Sequence, residues 1–251
     1  DLHKEYRRQR QMYIRDSFKT DRIKEVLQRS GLWNSFLTRP YSKMPLEDDT
    51  PAAIFVTAME SEPLAPDASL VLSGQFDSFV MGVRAISELT QGKVYVCKAI
   101  NGAVPDIDDM PRVENHSFGG PHPSGLAGTH MHFLEAPSSS RTVWSIGYQD
   151  VIAIGQLLAT GYINPGRVIS IAGPLAINPR LVRTVSGVSL DELIEGEVTP
   201  QTPCRVISGS ILNGRIGEGA FAYLGRFARQ VALIKEDTEQ IPFGWIRPQP
   251  N

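Results

Sequence analysis

The chain has 251 residues, of which 41% are hydrophobic and 21% are charged, with a formal net charge of −2 and two cysteines. This composition is that of a folded protein, long enough for one large domain or two ordinary ones, and it excludes wholesale disorder. The small net charge gives no general attraction to nucleic acid. No apolar run reaches the ~20 residues that are needed to cross a bilayer. Two cysteines are too few for a disulfide framework or for an iron–sulfur site with four thiolate ligands.

The first thirty residues are rich in lysine and arginine. That pattern favours a solvated helical face, with an acidic partner or an anionic membrane surface as alternatives. The segment opens DLHKEYRRQR, without an initiator methionine or the apolar core of a signal peptide, which indicates a piece from inside a longer protein.

Residues 1–20 are predicted as a partly helical lead-in. Thr20 is predicted to cap a helix that has an apolar stripe of Ile23, Val26 and Leu27 and ends at Gly31.

A βαβ unit is predicted next. Residues 52–58, AAIFVTA, are a short apolar run of strand type, residues 73–89 have helical spacing, and residues 93–99, KVYVCKA, are a second strand. The two strands of such a unit are parallel, with a right-handed crossover. Because ligands of these sheets collect where the strands end, residues 60–63 and 100–102 are predicted to lie at a binding edge.

The elements become shorter after a helix predicted over 151–158. A small helix is opened by Ser189, with Glu192 completing a capping box. The predicted strands cover 167–172, 180–186, 204–210 and 231–235, and a glycine-rich turn covers 213–219. Two strands, a helix and two more strands are the pattern of a β-grasp module.

The fold class predicted from these elements is α/β, in two domains. Residues 1–163 form an α/β domain with a parallel sheet and the helical lead-in. Residues 164–237 form the β-grasp domain, and residues 238–251, which contain several prolines, form an extended tail.

The most unusual stretch is residues 115–134, NHSFGGPHPSGLAGTHMHFL, which contains four of the five histidines. Its glycines and prolines are typical of a shaped loop beside a ligand. The ending Thr129–Phe133 alternates as a strand does, which predicts that His130 and His132 lie on one face of that strand. A loop that leads into such a strand would form one wall of a binding site.

The residues give little support for a metal-binding site or a nucleotide-binding site. His130 and His132 could join another histidine of the stretch as metal ligands, but nothing fixes a carboxylate beside them. The glycines of 120–125 have phosphate-loop spacing but lack the Lys-Ser/Thr that follows in such loops, and those of 214–219 precede no long helix. The residues alone favour a ligand-binding domain over a self-contained catalyst, with no catalytic or metal-binding residue assigned.

Two motifs resemble a known family. The run FGGPHPSGLAGTHMHFL, together with SGLWNSFLTRPYSKMP upstream, closely resembles the A subunit of the bacterial Na⁺-translocating NADH:quinone reductase, over nearly the whole chain. That family is similar in turn to the flavoprotein subunit of respiratory complex I and to the C subunit of the Rnf complex. The resemblance implies a Rossmann-like domain related to the complex I flavoprotein, followed by a soluble-ligand-binding β-grasp domain.

The sequence departs from the flavoprotein relatives after the SGL turn. There the relatives have a glycine-rich loop whose backbone N–H groups hold the flavin phosphate and the nucleotide. Here Trp33 and further bulky residues as far as Pro40 take that place, and the cysteine ligands of the relatives' iron–sulfur cluster are absent. This departure implies that the chain has no cofactor, binding neither FMN nor NADH, and that Trp33, Glu60 and Glu62 are a vestigial nucleotide pocket.

The resemblance implies a peripheral subunit on the cytoplasmic face of the bacterial inner membrane. This subunit would be assembled on the membrane subunits and would interact with quinone. The complex as a whole would transfer electrons from NADH to quinone and export sodium. A quinone headgroup needs hydrogen-bond donors between apolar walls. The candidate quinone-binding residues are Phe118, His122, Leu126, Thr129, His130, Met131, His132 and Phe133. The alternatives are a purely structural scaffold, in which these residues only tie the loop to the domain, and an active FMN- and NADH-binding oxidoreductase of complex I type.

Overall fold

The computed structural model describes residues 20–236, which divide into two units between Arg167 and Val168. The predicted lead-in before Thr20 and the predicted tail over 238–251 lie outside the described residues. The α/β class predicted from the sequence is confirmed, because each unit contains its own five-stranded sheet together with helices.

The first unit contains five strands and five α-helices among the described residues. Its strands are β1 (Leu37–Arg39), β2 (Ile54–Ala58), β3 (Val94–Ala99), β4 (Val113–Phe118) and β5 (Val143–Gly147). Its α-helices are α1 (Thr20–Ser30), α2 (Ala68–Leu72), α3 (Phe76–Ser87), α4 (Ala127–Leu134) and α5 (Tyr148–Thr160). A short 3-10 turn at Leu32–Ser35 joins α1 to β1.

The first sheet has the order β1-β5-β2-β3-β4. The strands β5, β2, β3 and β4 run parallel, and β1 is antiparallel to β5 at the edge. The predicted parallel pairing of the two strands of the βαβ unit is confirmed, with Val56 opposite Val96. The sequence interpretation missed β4, because its residues VENHSF are mostly polar and show no apolar run.

Helices cover both faces of this sheet. On one face, Met131 of α4 packs in a cluster with Phe55, Tyr95 and Cys97. Helix α5 contacts β2 and β5 and packs closely against α3. The side chains of successive strand residues point to opposite faces, so the fully buried pattern of β2 follows from its cover on both sides.

The prediction of a strand at Thr129–Phe133 is wrong, because these residues lie within α4. The buried face of that helix includes Ala127, Met131 and Leu134, which pack against the core at helical spacing. In a run this short, the apolar residues fit both the two-residue period of a strand and the 3.6-residue period of a helix. The contacts with the sheet select the helix. His130 and His132 therefore do not share a face.

The second unit is a mixed sheet of order β7-β6-β10-β8-β9. Its strands are β6 (Gly166–Ala172), β7 (Arg180–Val185), β8 (Cys204–Ser208), β9 (Arg215–Ile216) and β10 (Gln230–Lys235), and its helix is α6 (Leu190–Leu193). Strand β10 is parallel to β6 and antiparallel to β8. The Ser189 side chain accepts a hydrogen bond from the Glu192 N–H, as predicted for the cap. The predicted glycine-rich turn over 213–219 contains the short strand β9.

The core of the second unit lies against α6. Leu190 of this helix is fully buried in a cluster with Ile169, Ile171, Val231 and Leu233. Within residues 20–236, no helix is both long and apolar enough to cross a bilayer.

Candidate functional site

The histidine-rich loop after β4 packs against the ends of two neighbouring strands. The Ser61 hydroxyl, just beyond β2, accepts a hydrogen bond from the Gly125 N–H at 2.8 Å and lies 3.2 Å from His122 Nδ1. A Cβ atom at Gly125 would come within 2.7 Å of the Ser61 nitrogen, so this close approach requires glycine. Beyond β3, the Ile100 N–H donates to the Phe118 carbonyl at 2.8 Å. The loop thus lies at the edge that the βαβ pattern predicted.

Helix α4 separates the eight candidate quinone-binding residues into two groups. His130 and Met131, on the inner side of this helix, are buried, and Phe118 of β4 is partly buried against the same core. The residues that solvent can reach are His122, Leu126, Thr129, His132 and Phe133. Phe133, with 71% of its surface exposed, is the most open of these apolar side chains. The structure therefore brings the candidates to one edge but not to one surface.

His130 is held inside the loop. Its Nε2 lies 2.8 Å from the Ser124 carbonyl, an acceptor, so Nε2 carries the proton and donates it. Its ring packs on Phe118 with a centroid separation of 4.2 Å, and its Nδ1 is buried without a hydrogen-bond partner among the described residues. Burial lowers the pKa of His130 to about 4, although the Ser124 carbonyl acts in the opposite direction. His130 is therefore a neutral ring whose single N–H is used internally.

Acid should destabilise the protein through His130. The unfolded ring gains a proton near its ordinary pKa of 6.5, whereas the folded ring gains one only near a pKa of about 4. The unfolded state therefore binds more protons in this window, so the stability due to His130 is complete above pH ~6.5 and falls by about 3 kcal/mol as the pH drops to ~4.

His130→Gln tests this pH dependence, because glutamine keeps an N–H for the Ser124 carbonyl but does not titrate. We expect urea unfolding midpoints across this pH window to fall less steeply in the variant than in the parent protein. His132→Gln removes an exposed histidine and should keep the parent slope. Equal slopes in the parent and His130→Gln would show that the ring is not buried as a neutral group.

The residues predicted as a vestigial nucleotide pocket occupy different environments. Trp33 is 5% exposed, donates its Nε1–H to the Pro45 carbonyl at 2.9 Å and packs edge-on against Trp144 with a centroid separation of 5.4 Å. Glu60 and Glu62 are half-buried in the turn after β2. Trp33 is thus a core residue that packs the 3-10 turn onto β5.

A group that the sequence did not indicate lies at the N-terminus of α5. Asp150, in the first turn of this helix, is buried. Its Oδ1 accepts a hydrogen bond from the Ser35 hydroxyl at 3.1 Å and is paired with the guanidinium of Arg167, the last residue of the first unit. The helix predicted over 151–158 began too late to include Asp150. An acidic residue directly before the apolar run of the predicted helix was the signal that could have placed it in the first helical turn.

Metal-ligand geometry is not found in the part of the chain that the structure describes. No group of three or more histidine, cysteine, aspartate or glutamate side chains there could hold an ion. His116 instead lies with its Nε2 3.2 Å from Glu114 Oε2, and its ring lies 5.6 Å from that of Tyr95.

Comparison with known sequences gives consistent matches for both units. A family model described as the NqrA second alpha/beta domain matches residues 18–163, and one described as the NQRA C-terminal domain matches residues 168–218. The A subunit of the Na(+)-translocating NADH-quinone reductase of Shewanella amazonensis is 49% identical over 236 residues, 94% of this chain and 52% of the relative. The same subunit of Vibrio vulnificus is 50% identical over 229 residues, 91% of this chain and 51% of the relative. The chain thus spans about half the length of the relatives that it matches.

Comparison with solved structures shows a likeness of fold alone. An NAD+-reducing [NiFe]-hydrogenase in the air-oxidized state superposes with a TM-score of 0.57 at 12% sequence identity, over 86% of this chain and 47% of that chain. The same enzyme in the H2-reduced state gives a TM-score of 0.58 at 12% identity.

Proposed function

The chain belongs to the NqrA family, and on that premise we propose that it is part of a cofactor-free peripheral subunit of a Na⁺-translocating NADH:quinone reductase. The observation that carries this proposal is the 49% identity to the A subunit of such a reductase over 94% of the chain. In this role the chain binds the other subunits on the cytoplasmic face of the inner membrane. The assembled enzyme is the oxidoreductase and translocase, transferring electrons from NADH to quinone and exporting sodium.

We infer a Rossmann-like domain followed by a β-grasp domain. The parallel strands β5-β2-β3-β4, with helices on both faces, support the first assignment. The order β7-β6-β10-β8-β9, with a parallel pair at its centre and α6 against the core, supports the second. The likeness to a hydrogenase at a TM-score of 0.57 concerns the fold and adds nothing about activity.

The absence of a nucleotide cofactor is proposed from charge at the N-terminus of α5. A phosphate can bind at the N-terminus of a helix that directly follows a parallel strand. Here α5 follows β5 directly. The buried Asp150 carboxylate already interacts with this terminus and is held by Ser35 and Arg167. A phosphate there would meet a second negative charge in a site of low polarity, which supports a chain without FMN or NADH.

Quinone contact is proposed for the accessible group of the loop and α4. Leu126, directly before the first residue of α4, and Phe133, near the end of that helix, both provide exposed apolar surface. His122, Thr129 and His132 supply polar groups at the same edge. The residues that pack on the core, Phe118, His130 and Met131, would then hold the loop and the helix in place. The scaffold alternative assigns this second task to all eight residues.

Photo-crosslinking of the assembled reductase tests this proposal. A quinone with a photoreactive headgroup should label a peptide within residues 119–134, and Phe133→Ala should weaken quinone binding about tenfold, equivalent to about 1.4 kcal/mol. Phe227→Ala is the matched control, because it truncates an exposed phenylalanine of the second unit and should change nothing. Label elsewhere together with an unchanged affinity would establish the scaffold alternative. A stoichiometric flavin absorbance in the purified full-length subunit would instead establish the complex I-type oxidoreductase.

A further inference from the structure

The contact between Ser61 and His122 forms part of a short hydrogen-bonded chain. The Gly125 N–H donates to the Ser61 hydroxyl oxygen at 2.8 Å, and the same oxygen lies 3.2 Å from His122 Nδ1. Ser61 and His122 are half-buried, and Gly125 is buried. Ser61 lies directly beyond β2, whereas the other two residues belong to the loop after β4.

The contact between Ser61 and His122 Nδ1 can fix the tautomer of His122, because the Ser61 hydroxyl has a proton to donate there. The backbone N–H of Gly125 can only donate, so the Ser61 oxygen accepts there and keeps its own proton to donate. Among the described residues, the acceptor within reach of that proton is His122 Nδ1. A neutral imidazole that accepts at Nδ1 carries its proton on Nε2. Nε2 makes no hydrogen bond within the described part of the chain, and it is not among the buried unsatisfied atoms, so it meets solvent.

The other histidines of the loop and of α4 have different roles. The N–H of His130 is used on the Ser124 carbonyl, inside the protein. His132 has its ring edge-on to Phe133 at 5.2 Å, and no described residue fixes its tautomer through a hydrogen bond. His122 thus combines a neighbour that can fix its tautomer with a second ring nitrogen that a ligand can reach.

We propose that Ser61 is a positioning residue, which holds the proton of His122 on Nε2 so that this N–H donates to a carbonyl oxygen of the quinone. The inference rests on the proposed function, because the ligand is the quinone of that function. It adds Ser61 to the site and assigns the headgroup donor to one of the histidines. An outward donor matches the chemistry of the oxidised headgroup, whose carbonyl oxygens accept hydrogen bonds but cannot donate them.

The tautomer can be measured without any ligand. Long-range ¹H–¹⁵N spectra of the 251-residue chain, recorded at a pH of about 8 where ordinary imidazoles are neutral, distinguish a protonated ring nitrogen from an accepting one. His122→Gln assigns the resonance. We expect the pattern of an Nε2–H ring in the parent chain, a mixture of tautomers in Ser61→Ala, and a return to the parent pattern in Ser61→Thr. Ser124→Ala is the matched control, since it removes a hydroxyl that bonds Gly120 in the same loop, and it should keep the parent tautomer.

Quinone affinity in the assembled reductase tests the donor role. With a short-chain quinone as the probe, Ser61→Ala should weaken binding about fivefold and His122→Ala about tenfold, the losses expected for a weakened and a removed hydrogen bond. If Ser61 acts through His122, then adding Ser61→Ala to His122→Ala should cause no further loss. Ser124→Ala should bind quinone as the parent does.

Each outcome decides between these roles. An Nδ1–H ring in the parent chain, or an unchanged tautomer in Ser61→Ala, would overturn the positioning role. Independent, additive losses from the two variants would reduce Ser61 to a structural residue of the loop. A parent subunit that binds quinone with the same affinity in every variant would overturn the donor role while the proposed function stands. A parent complex in which no quinone contacts this subunit would overturn both.

Discussion

Gly155→Ala should lower the free energy of unfolding by about 3 kcal/mol, although alanine is the better helix former. Gly155 lies in α5, and a Cβ atom there would come within 1.8 Å of the Ser78 carbonyl oxygen in α3. The contact is reciprocal, because a Cβ atom at Gly82 of α3 would come within 2.1 Å of the Val151 carbonyl oxygen in α5. The obstacle is backbone in both cases, so no side-chain rotation can relieve the clash and the helices must move apart.

Gly128→Ala is the matched control for this prediction. Gly128 is also a helical glycine, in α4, but a Cβ atom there would meet nothing within 4 Å. We expect this variant to be as stable as the parent or to gain up to about 1 kcal/mol, because only the helix propensity changes. Urea unfolding, followed by far-ultraviolet circular dichroism, measures both variants. A neutral Gly155→Ala would mean that α3 and α5 do not touch through their backbones.

Asp150→Ala should cost about 3–5 kcal/mol, the range for breaking a buried ion pair by removing one partner. The carboxylate accepts a hydrogen bond from Ser35 and is paired with Arg167, whose side chain is 10% exposed. The substitution removes the carboxylate that pairs with the Arg167 guanidinium in a poorly solvated site. It also removes a negative charge from the first turn of α5, where it interacts favourably with the helix dipole.

The size of this effect should depend on burial. Glu25 of α1 pairs with Arg22 and Arg29 on the surface, with its side chain 46% exposed, so Glu25→Ala should leave the unfolding midpoint almost unchanged. Asp150→Asn retains an acceptor for the Ser35 hydroxyl and should lose less stability than Asp150→Ala. Asp150→Ala also tests the cofactor argument. If removal of this carboxylate allowed the subunit to bind FMN, the charge at the α5 N-terminus would be identified as the barrier.

The secondary structure predicted from the sequence was most accurate where the local pattern of residues agrees with the tertiary environment. Strand β2 and helix α3 were recognised because a continuous apolar run suits a doubly covered strand and a repeat of 3.6 residues suits a helix packed on one side. The capped helix at Ser189 was recognised for a similar reason, since the side chain of a helix-capping serine bonds to a nearby backbone N–H.

The prediction from the sequence was least accurate at the candidate site. Residues 129–133 fit two periods equally, and their packing against β2 and β3 decides for a helix, which places His130 inside and His132 outside. Ser61 lies in the segment 60–63 that was predicted at the binding edge, but nothing in the sequence singled it out there, and Asp150 was left outside the predicted helix. Their partners, His122 and Ser35, are 61 and 115 residues distant in the chain, so the sheet has to form before these groups meet.

The sequence by itself determined the family, the α/β class and the stretch of chain that forms the loop at the sheet edge, because these depend on residue identity and on short-range periodicity. The tertiary structure alone decided which histidine is buried with its N–H used internally and which histidines solvent can reach, and it alone placed a carboxylate at the N-terminus of α5. The physical reason is that burial and hydrogen bonding depend on distances across the sheet, and residues far apart in the chain set those distances only once the strands have paired.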